Sequence, residues 1–154
     1  MSKNLKGCYS HKTDDWRTPT DIYNAFMKKG YIDCFPYQSK VNELCNLYIE
    51  QKLFINPPYS KMNQIIYWLL DQIGNDNKVA LLVPVRTDTK WFKQLILDNP
   101  CVCVFISGRL HFNDSKECAP FPSALLLFNY HADFVNTFTI FDRKDIAHFI
   151  EELL

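Results

Sequence analysis

A chain of 154 residues, 47% hydrophobic and 22% charged, has the size and make-up of a globular domain. Its 17 basic and 17 acidic side chains cancel, which excludes a strongly basic polyanion binder and leaves any nucleic-acid contact to local patches. No apolar run nears the ~18 residues of a membrane helix and no signal-peptide pattern opens the chain, so no membrane contact and a cytoplasmic location are expected.

Residues 1–12 are polar and predict a flexible arm; residues 13–154 predict one domain. Thr18-Pro19-Thr20-Asp21 reads as a helix start, with Ile22, Ala25 and Phe26 on one apolar face and Gly30 as the stop. Tyr31 to Cys34 predicts a short strand, and Val41, Leu44, Cys45 and Tyr48 have helical spacing. Leu53-Phe54-Ile55 is an apolar strand that runs into Asn56-Pro57-Pro58-Tyr59-Ser60. Met62, Ile65, Ile66, Leu69 and Ile73 mark an amphipathic helix closed by Gly74. Val79 to Val83 predicts a buried strand, and Trp91, Leu95 and Ile96 a helix capped near Thr87-Asp88-Thr89. Further strands are expected at Val102 to Ile106, Leu110 to Phe112, Ala124 to Phe128 and Phe138 to Phe141. Asp142 is expected to cap a last helix carrying Ile146, Phe149, Ile150 and Leu153.

Strands alternating with helices imply an α/β domain with a mainly parallel sheet. The near-continuous apolar runs suit strands covered on both faces. Ligands of such sheets bind outside the carboxyl ends of the strands, where the loops beginning at Asn56, Pro84 and Ser107 converge.

The six cysteines (Cys8, Cys34, Cys45, Cys101, Cys103 and Cys118) form no CxxC pair. Without ligand pairs at zinc spacing, no metal is expected and all six are read as reduced thiols. His11, His111, His131 and His148 are scattered and read as structural or solvated.

The Asn56 to Tyr59 turn suits one kind of chemistry. An amine on an aromatic ring is a poor nucleophile because its lone pair is delocalised into the ring. Two acceptors on its two N–H bonds would pyramidalise it and localise that pair. The Asn56 side-chain oxygen supplies one acceptor and the Pro57 carbonyl the other. Pro57 and Pro58 stiffen the turn and remove two N–H donors, while Tyr59 offers a flat face for an extruded base. The alternative is an ordinary proline-rich turn after a strand.

Four segments, in order, resemble the compact DNA N(6)-adenine methyltransferases carried by bacteriophages and prophages. They are Asp14-Asp15-Trp16-Arg17-Thr18-Pro19; Asn56-Pro57-Pro58-Tyr59-Ser60; Leu82-Val83-Pro84 with Thr87-Asp88-Thr89 and Trp91-Phe92; and Gly108-Arg109-Leu110 with Phe112 and Ala119-Pro120-Phe121-Pro122-Ser123. The resemblance implies a compact Rossmann-like methyltransferase fold, S-adenosyl-L-methionine as donor and adenine in DNA as acceptor, flipped into the site of a monomeric enzyme. It implies catalytic roles for Asn56, Pro57, Pro58 and Tyr59. It places Trp16, Thr18 and Pro19 against the cofactor's methionine end, with helix capping as the alternative. It sets Asp33, Cys34 and Pro36 at a strand end facing the cofactor, beside Asn56. The chain departs from larger relatives in having four glycines and no GxG, so the Asp33 to Pro36 turn is expected to replace a glycine-rich cofactor loop.

DNA contacts are expected from Arg86, Thr87, Asp88, Lys90 and Arg109 on the rim, with Lys116 nearby and Phe121 and Ser123 in a loop lining the base pocket. No stretch is long enough for a separate recognition domain, which predicts a short or relaxed sequence preference. Two other readings keep the fold: methylation of another planar nitrogen, such as a protein glutamine or a small heterocycle, or a binding module derived from the enzyme.

Overall fold

A computed structural model describes residues 14, 16–36, 48–130 and 137–154. Their strands are β1 (Ile32–Asp33), β2 (Lys52–Ile55), β3 (Lys78–Pro84), β4 (Cys101–Ser107), β5 (Ser123–Phe128) and β6 (Phe138–Asp142). Their helices are α1 (Thr20–Lys28), α2 (Met62–Gly74), α3 (Lys90–Asp98) and α4 (Ile146–Leu153). The expected arm over residues 1–12, the helical spacing of Val41, Leu44 and Cys45, and Cys8, His11, Asp15 and His131 lie outside the described residues.

The strands form one six-stranded sheet in the order β1-β2-β3-β5-β4-β6. β1, β2 and β3 are parallel neighbours, as are β4 and β6. β5 runs antiparallel between β3 and β4, so the other strands all point one way. This is the mainly parallel α/β sheet expected from the sequence, in the Rossmann-like arrangement implied by the resemblance.

Period-two alternation sorts the strand side chains onto two faces. Phe54, Ala80, Leu82, Val104, Leu125 and Leu127 pack with α1 and α4 through Ile22, Phe26, Ile146 and Ile150. Leu53, Ile55, Val79, Leu81, Leu126 and Phe128 pack with α2 and α3 through Ile65, Leu69, Trp91 and Leu95. Each central strand is therefore covered on both faces, which accounts for its lack of polar residues. Cover ends at the edge: in β6, Phe138 and Ile140 share a register row with Cys103 and Phe105 yet stay 73% and 65% exposed.

Gly30 ends α1 as expected, and its geometry shows why. At φ +76° it lets its own N–H reach the Met27 carbonyl and the Tyr31 N–H reach the Phe26 carbonyl. The Phe26 ring then stacks on Phe54 of β2 at 4.4 Å, fixing α1 over the strand that carries Asn56.

Three local expectations need correction. Leu110 to Phe112 is not a strand: a 3-10 turn spans Phe112–Asp114, with Asn113 and Asp114 at φ 59° and 51°. Asn and Asp tolerate that left-handed region, and their side chains bind Arg17 and Thr20 far away in sequence, which draws the segment out of the sheet. Nor do the two expected caps act as such. Asp142 and Thr89 precede their helical turns without a side-chain bond to them. The Thr89 hydroxyl instead donates to the Arg86 carbonyl at 2.8 Å.

Candidate active site

Asn56 leaves the carboxyl end of β2 directly, on the face that carries Phe54 and α1. Its side-chain amide is held on both ends. Nδ2 donates to the Trp16 carbonyl at 2.6 Å and to Thr18 Oγ1 at 2.9 Å. Oδ1 accepts from the Tyr59 hydroxyl at 2.8 Å. Burial pushes the Tyr59 phenol well above its ordinary pKa, so it stays protonated as a donor.

The two prolines divide the backbone work. The Pro58 carbonyl accepts from the Lys61 N–H at 2.9 Å and starts the 3-10 turn at Tyr59–Lys61. The Pro57 carbonyl takes no hydrogen bond among the described residues. Asp14 straps the turn from outside: Ser60 donates to it with its backbone N–H at 3.0 Å and with its hydroxyl.

Four rings gather beside this turn. Trp16 meets Phe112 and Phe121 edge-on at 5.5 and 5.2 Å. Tyr59 meets Phe121 at 5.6 Å and Phe112 at 6.3 Å, also edge-on. The Tyr59 ring thus belongs to an aromatic cluster. Phe121 and Ser123, placed by sequence in a base-pocket loop, lie deeper than a surface loop, at 2% and 1% exposure. The Ser123 hydroxyl is buried without a hydrogen-bond partner among the described residues.

Thr18 does not cap α1. Its hydroxyl is used by Asn56, and the cap comes from elsewhere: Asp114 accepts the Thr20 N–H at 3.0 Å and the Thr20 hydroxyl at 2.6 Å. The bond from Thr20 holds the Asp114 carboxyl below the usual carboxylate range. Arg17 and Asn113 exchange backbone-anchored bonds at 3.0 and 2.9 Å. The residues on either side of Thr18-Pro19 are thus pinned to one turn. The sequence alone does not mark Asp114 as a functional residue. Its one local sign was the turn-prone Asn113-Asp114 pair.

Asp33 ends β1 beside Phe54 of β2, so Asp33 and Asn56 occupy neighbouring strand ends of the same rim. Its Oδ1 accepts the Phe35 N–H at 3.0 Å. Burial raises its pKa, and no cation faces it among the described residues. Cys34 is half-buried, its thiol pushed up to about 12 by burial and then by the Asp33 charge. Pro36 is exposed, and Pro19 is buried at the start of α1.

Among the expected DNA contacts, Thr87, Asp88, Lys90, Arg109 and Lys116 are exposed. Arg86 forms a two-pronged pair with Asp88, both bonds 2.9 Å. The Pro84 to Thr89 loop is tied to the Phe121 loop by the Val85 N–H, which donates to the Pro122 carbonyl at 2.9 Å. A cleft of about 540 Å³ opens at the carboxyl ends of β4 and β6, lined by Ser107, Gly108, His111, Asp142, Arg143 and Lys144. Its Arg143 is engaged by Asp21 at 2.8 and 3.0 Å. No group of three His, Cys, Asp or Glu side chains suited to a metal occurs among the described residues, and no helix among them is long and apolar enough to cross a membrane. The described cysteines (Cys34, Cys101, Cys103 and Cys118) are free thiols.

A family model described as DNA N-6-adenine-methyltransferase (Dam) matches residues 8–148. A DNA N-6-adenine-methyltransferase of Escherichia phage T1 is 24% identical over 96 residues, which cover 53% of this chain and 40% of that relative. No solved structure matches.

Proposed function

Because the chain belongs to the DNA N-6-adenine-methyltransferase (Dam) family, we propose that it transfers a methyl group from S-adenosyl-L-methionine to the exocyclic amine of adenine in DNA. The observation that carries this reading is the Asn56 turn. A side-chain oxygen with capacity for one more bond and a Pro57 carbonyl unbonded among the described residues sit together at the carboxyl rim of a mainly parallel sheet. Asn56 and Pro57 each accept one N–H of the amine, which turns its lone pair out of the ring. Pro58 and the Tyr59–Lys61 turn keep the two acceptors from drifting apart. The aromatic cluster of Trp16, Tyr59, Phe112 and Phe121 shields the reacting nitrogen from water and borders the flipped base. Catalysis then rests on positioning and on acceptors that strengthen as positive charge grows on the amine.

The residues present suit the cofactor. The half-buried Asp33 carboxylate faces no cation among the described residues and ends the strand beside β2, where an ammonium or sulfonium charge would answer it. When bound, the cofactor would supply an electrophilic methyl group to the amine nitrogen; Asn56 Oδ1 and the Pro57 carbonyl would hold the two N–H bonds as positive charge develops, and the methylated amine would release one of those protons to solvent as the product leaves the site. Cys34 and Pro36 complete the Asp33 turn, Trp16 and Thr18 act through Asn56, and Pro19 lies with them on the cofactor side. Thr87, Lys90 and Arg109, with Arg86 once released from Asp88, meet the DNA backbone. Such an enzyme, phage- or prophage-encoded, acts as a monomer in the host cytoplasm.

The test is transfer of labelled methyl from the cofactor to DNA, RNA and protein, with sequencing that maps the methylated adenines. Incorporation into protein alone would sink the DNA assignment. Asn56→Ala should abolish turnover and leave cofactor affinity within about twofold, because the lost acceptor matters chiefly in the transition state.

A further inference from the structure

We infer that Thr18, the Trp16 carbonyl and the Tyr59 hydroxyl orient the Asn56 amide so that its one remaining hydrogen-bonding position is an acceptor. This rests on the methyltransferase reading and assigns Thr18 and the Tyr59 hydroxyl as positioning groups acting through Asn56.

An asparagine side chain has two donor hydrogens and two acceptor lone pairs. At Asn56 both hydrogens are used, one on the Trp16 carbonyl at 2.6 Å and one on Thr18 Oγ1 at 2.9 Å. A carbonyl only accepts, so the nitrogen end of the amide must face Trp16; the flipped amide would set two oxygens against each other. The Tyr59 hydroxyl occupies one lone pair of Oδ1 at 2.8 Å, and burial keeps that phenol protonated. Among the described residues nothing occupies its other lone pair. The site therefore accepts an N–H donor and rejects a keto oxygen at the same place, which selects amino bases over oxo bases.

The arrangement also explains why position 56 is an amide. An aspartate there has no hydrogen to offer, and one of its carboxylate oxygens would face the Trp16 carbonyl. Thr18 keeps its place because its neighbours are anchored, Arg17 to Asn113 and Thr20 to Asp114.

The experiment is single-turnover methyl transfer to DNA with labelled S-adenosyl-L-methionine and excess enzyme, alongside DNA and cofactor affinities. Thr18→Val removes one acceptor at nearly constant volume and should slow transfer about tenfold, roughly what one hydrogen bond contributes, with both affinities within about twofold. Thr18→Ser restores the acceptor and should recover most of the rate. Tyr59→Phe keeps the ring and should slow transfer by a similar factor. Asn56→Asp should be inactive at neutral pH and gain activity relative to wild type as pH falls, because the protonated carboxyl can donate to the Trp16 carbonyl.

Wild-type rates in both Thr18→Val and Tyr59→Phe overturn the inference while the methyltransferase reading stands. If Thr18→Val does not fold, Tyr59→Phe and the pH profile of Asn56→Asp decide. If wild type transfers nothing, the methyltransferase reading fails instead. Orientation is then read from the Asn56 side-chain amide signals in Tyr59→Phe and Thr18→Ser: shifts in the first and wild-type positions in the second support it, and unchanged signals in both overturn it.

Discussion

Asp114→Ala tests whether a distant turn holds the segment that positions Asn56. Asp114 accepts the Thr20 N–H at 3.0 Å and the Thr20 hydroxyl at 2.6 Å, and pairs with Arg17 at 3.3 Å. The first bond does what a helix cap does, and losing such a cap costs about 1 kcal/mol. The hydroxyl bond adds about 0.5–1 kcal/mol. The Arg17 pair is half-exposed on both sides and adds only about 0.3 kcal/mol. The total of about 2 kcal/mol corresponds to a fall in Tm of about 4–8 °C for a chain of this length. Circular dichroism melts at neutral pH measure it. Asp114→Asn keeps one acceptor for the Thr20 N–H and should lose about half as much. The Asp114 carboxyl lies below its ordinary pKa because of the Thr20 bonds, so its contribution is complete above the unfolded value of 3.8 and fades as pH falls through the lower folded value. The Tm gap between wild type and Asp114→Ala should therefore narrow in strong acid toward the smaller gap of Asp114→Asn, because the protonated carboxyl still accepts the Thr20 N–H. A gap under about 1 °C at neutral pH would refute the clamp.

The remaining predictions concern charge at the rim. Asp33→Asn should raise Tm at neutral pH, because burial disfavours the charged carboxyl, and weaken cofactor binding about tenfold by calorimetry. Its folded pKa is raised, so the Tm gain should disappear below the unfolded value of 3.8, where both states are neutral. Asp88→Asn removes the negative charge opposite Arg86 and should tighten DNA binding, with a steeper dependence on salt by about one unit of slope. Binding isotherms at several salt concentrations that show no steeper slope would remove Arg86 from the DNA-facing set.

The strands that position the site were legible because burial on both faces leaves no alternative to apolar runs. Leu53 to Ile55 and Val79 to Val83 admit little but central strands, and Gly30 and Gly74 close α1 and α2 at or within a residue or two of the observed ends. The segment from Leu110 to Phe112 misled because an apolar, alternating stretch of three residues looks like a strand whether or not a partner is available. Here the backbone turns away to serve Arg17 and Thr20, partners 94 to 97 positions distant.

By itself the sequence determined an α/β chain with Asn56-Pro57-Pro58-Tyr59 at the end of a buried strand, since local apolar patterning and proline stiffness act within a few residues. Only the tertiary structure decided what Thr18 does. Local chemistry made it a helix cap or a cofactor contact. The folded chain gives that cap to Asp114 and leaves the Thr18 hydroxyl to Asn56. The physical reason is that a hydroxyl's partner is whichever group the packing brings within about 3 Å, and sheet and helix packing set that distance across the chain.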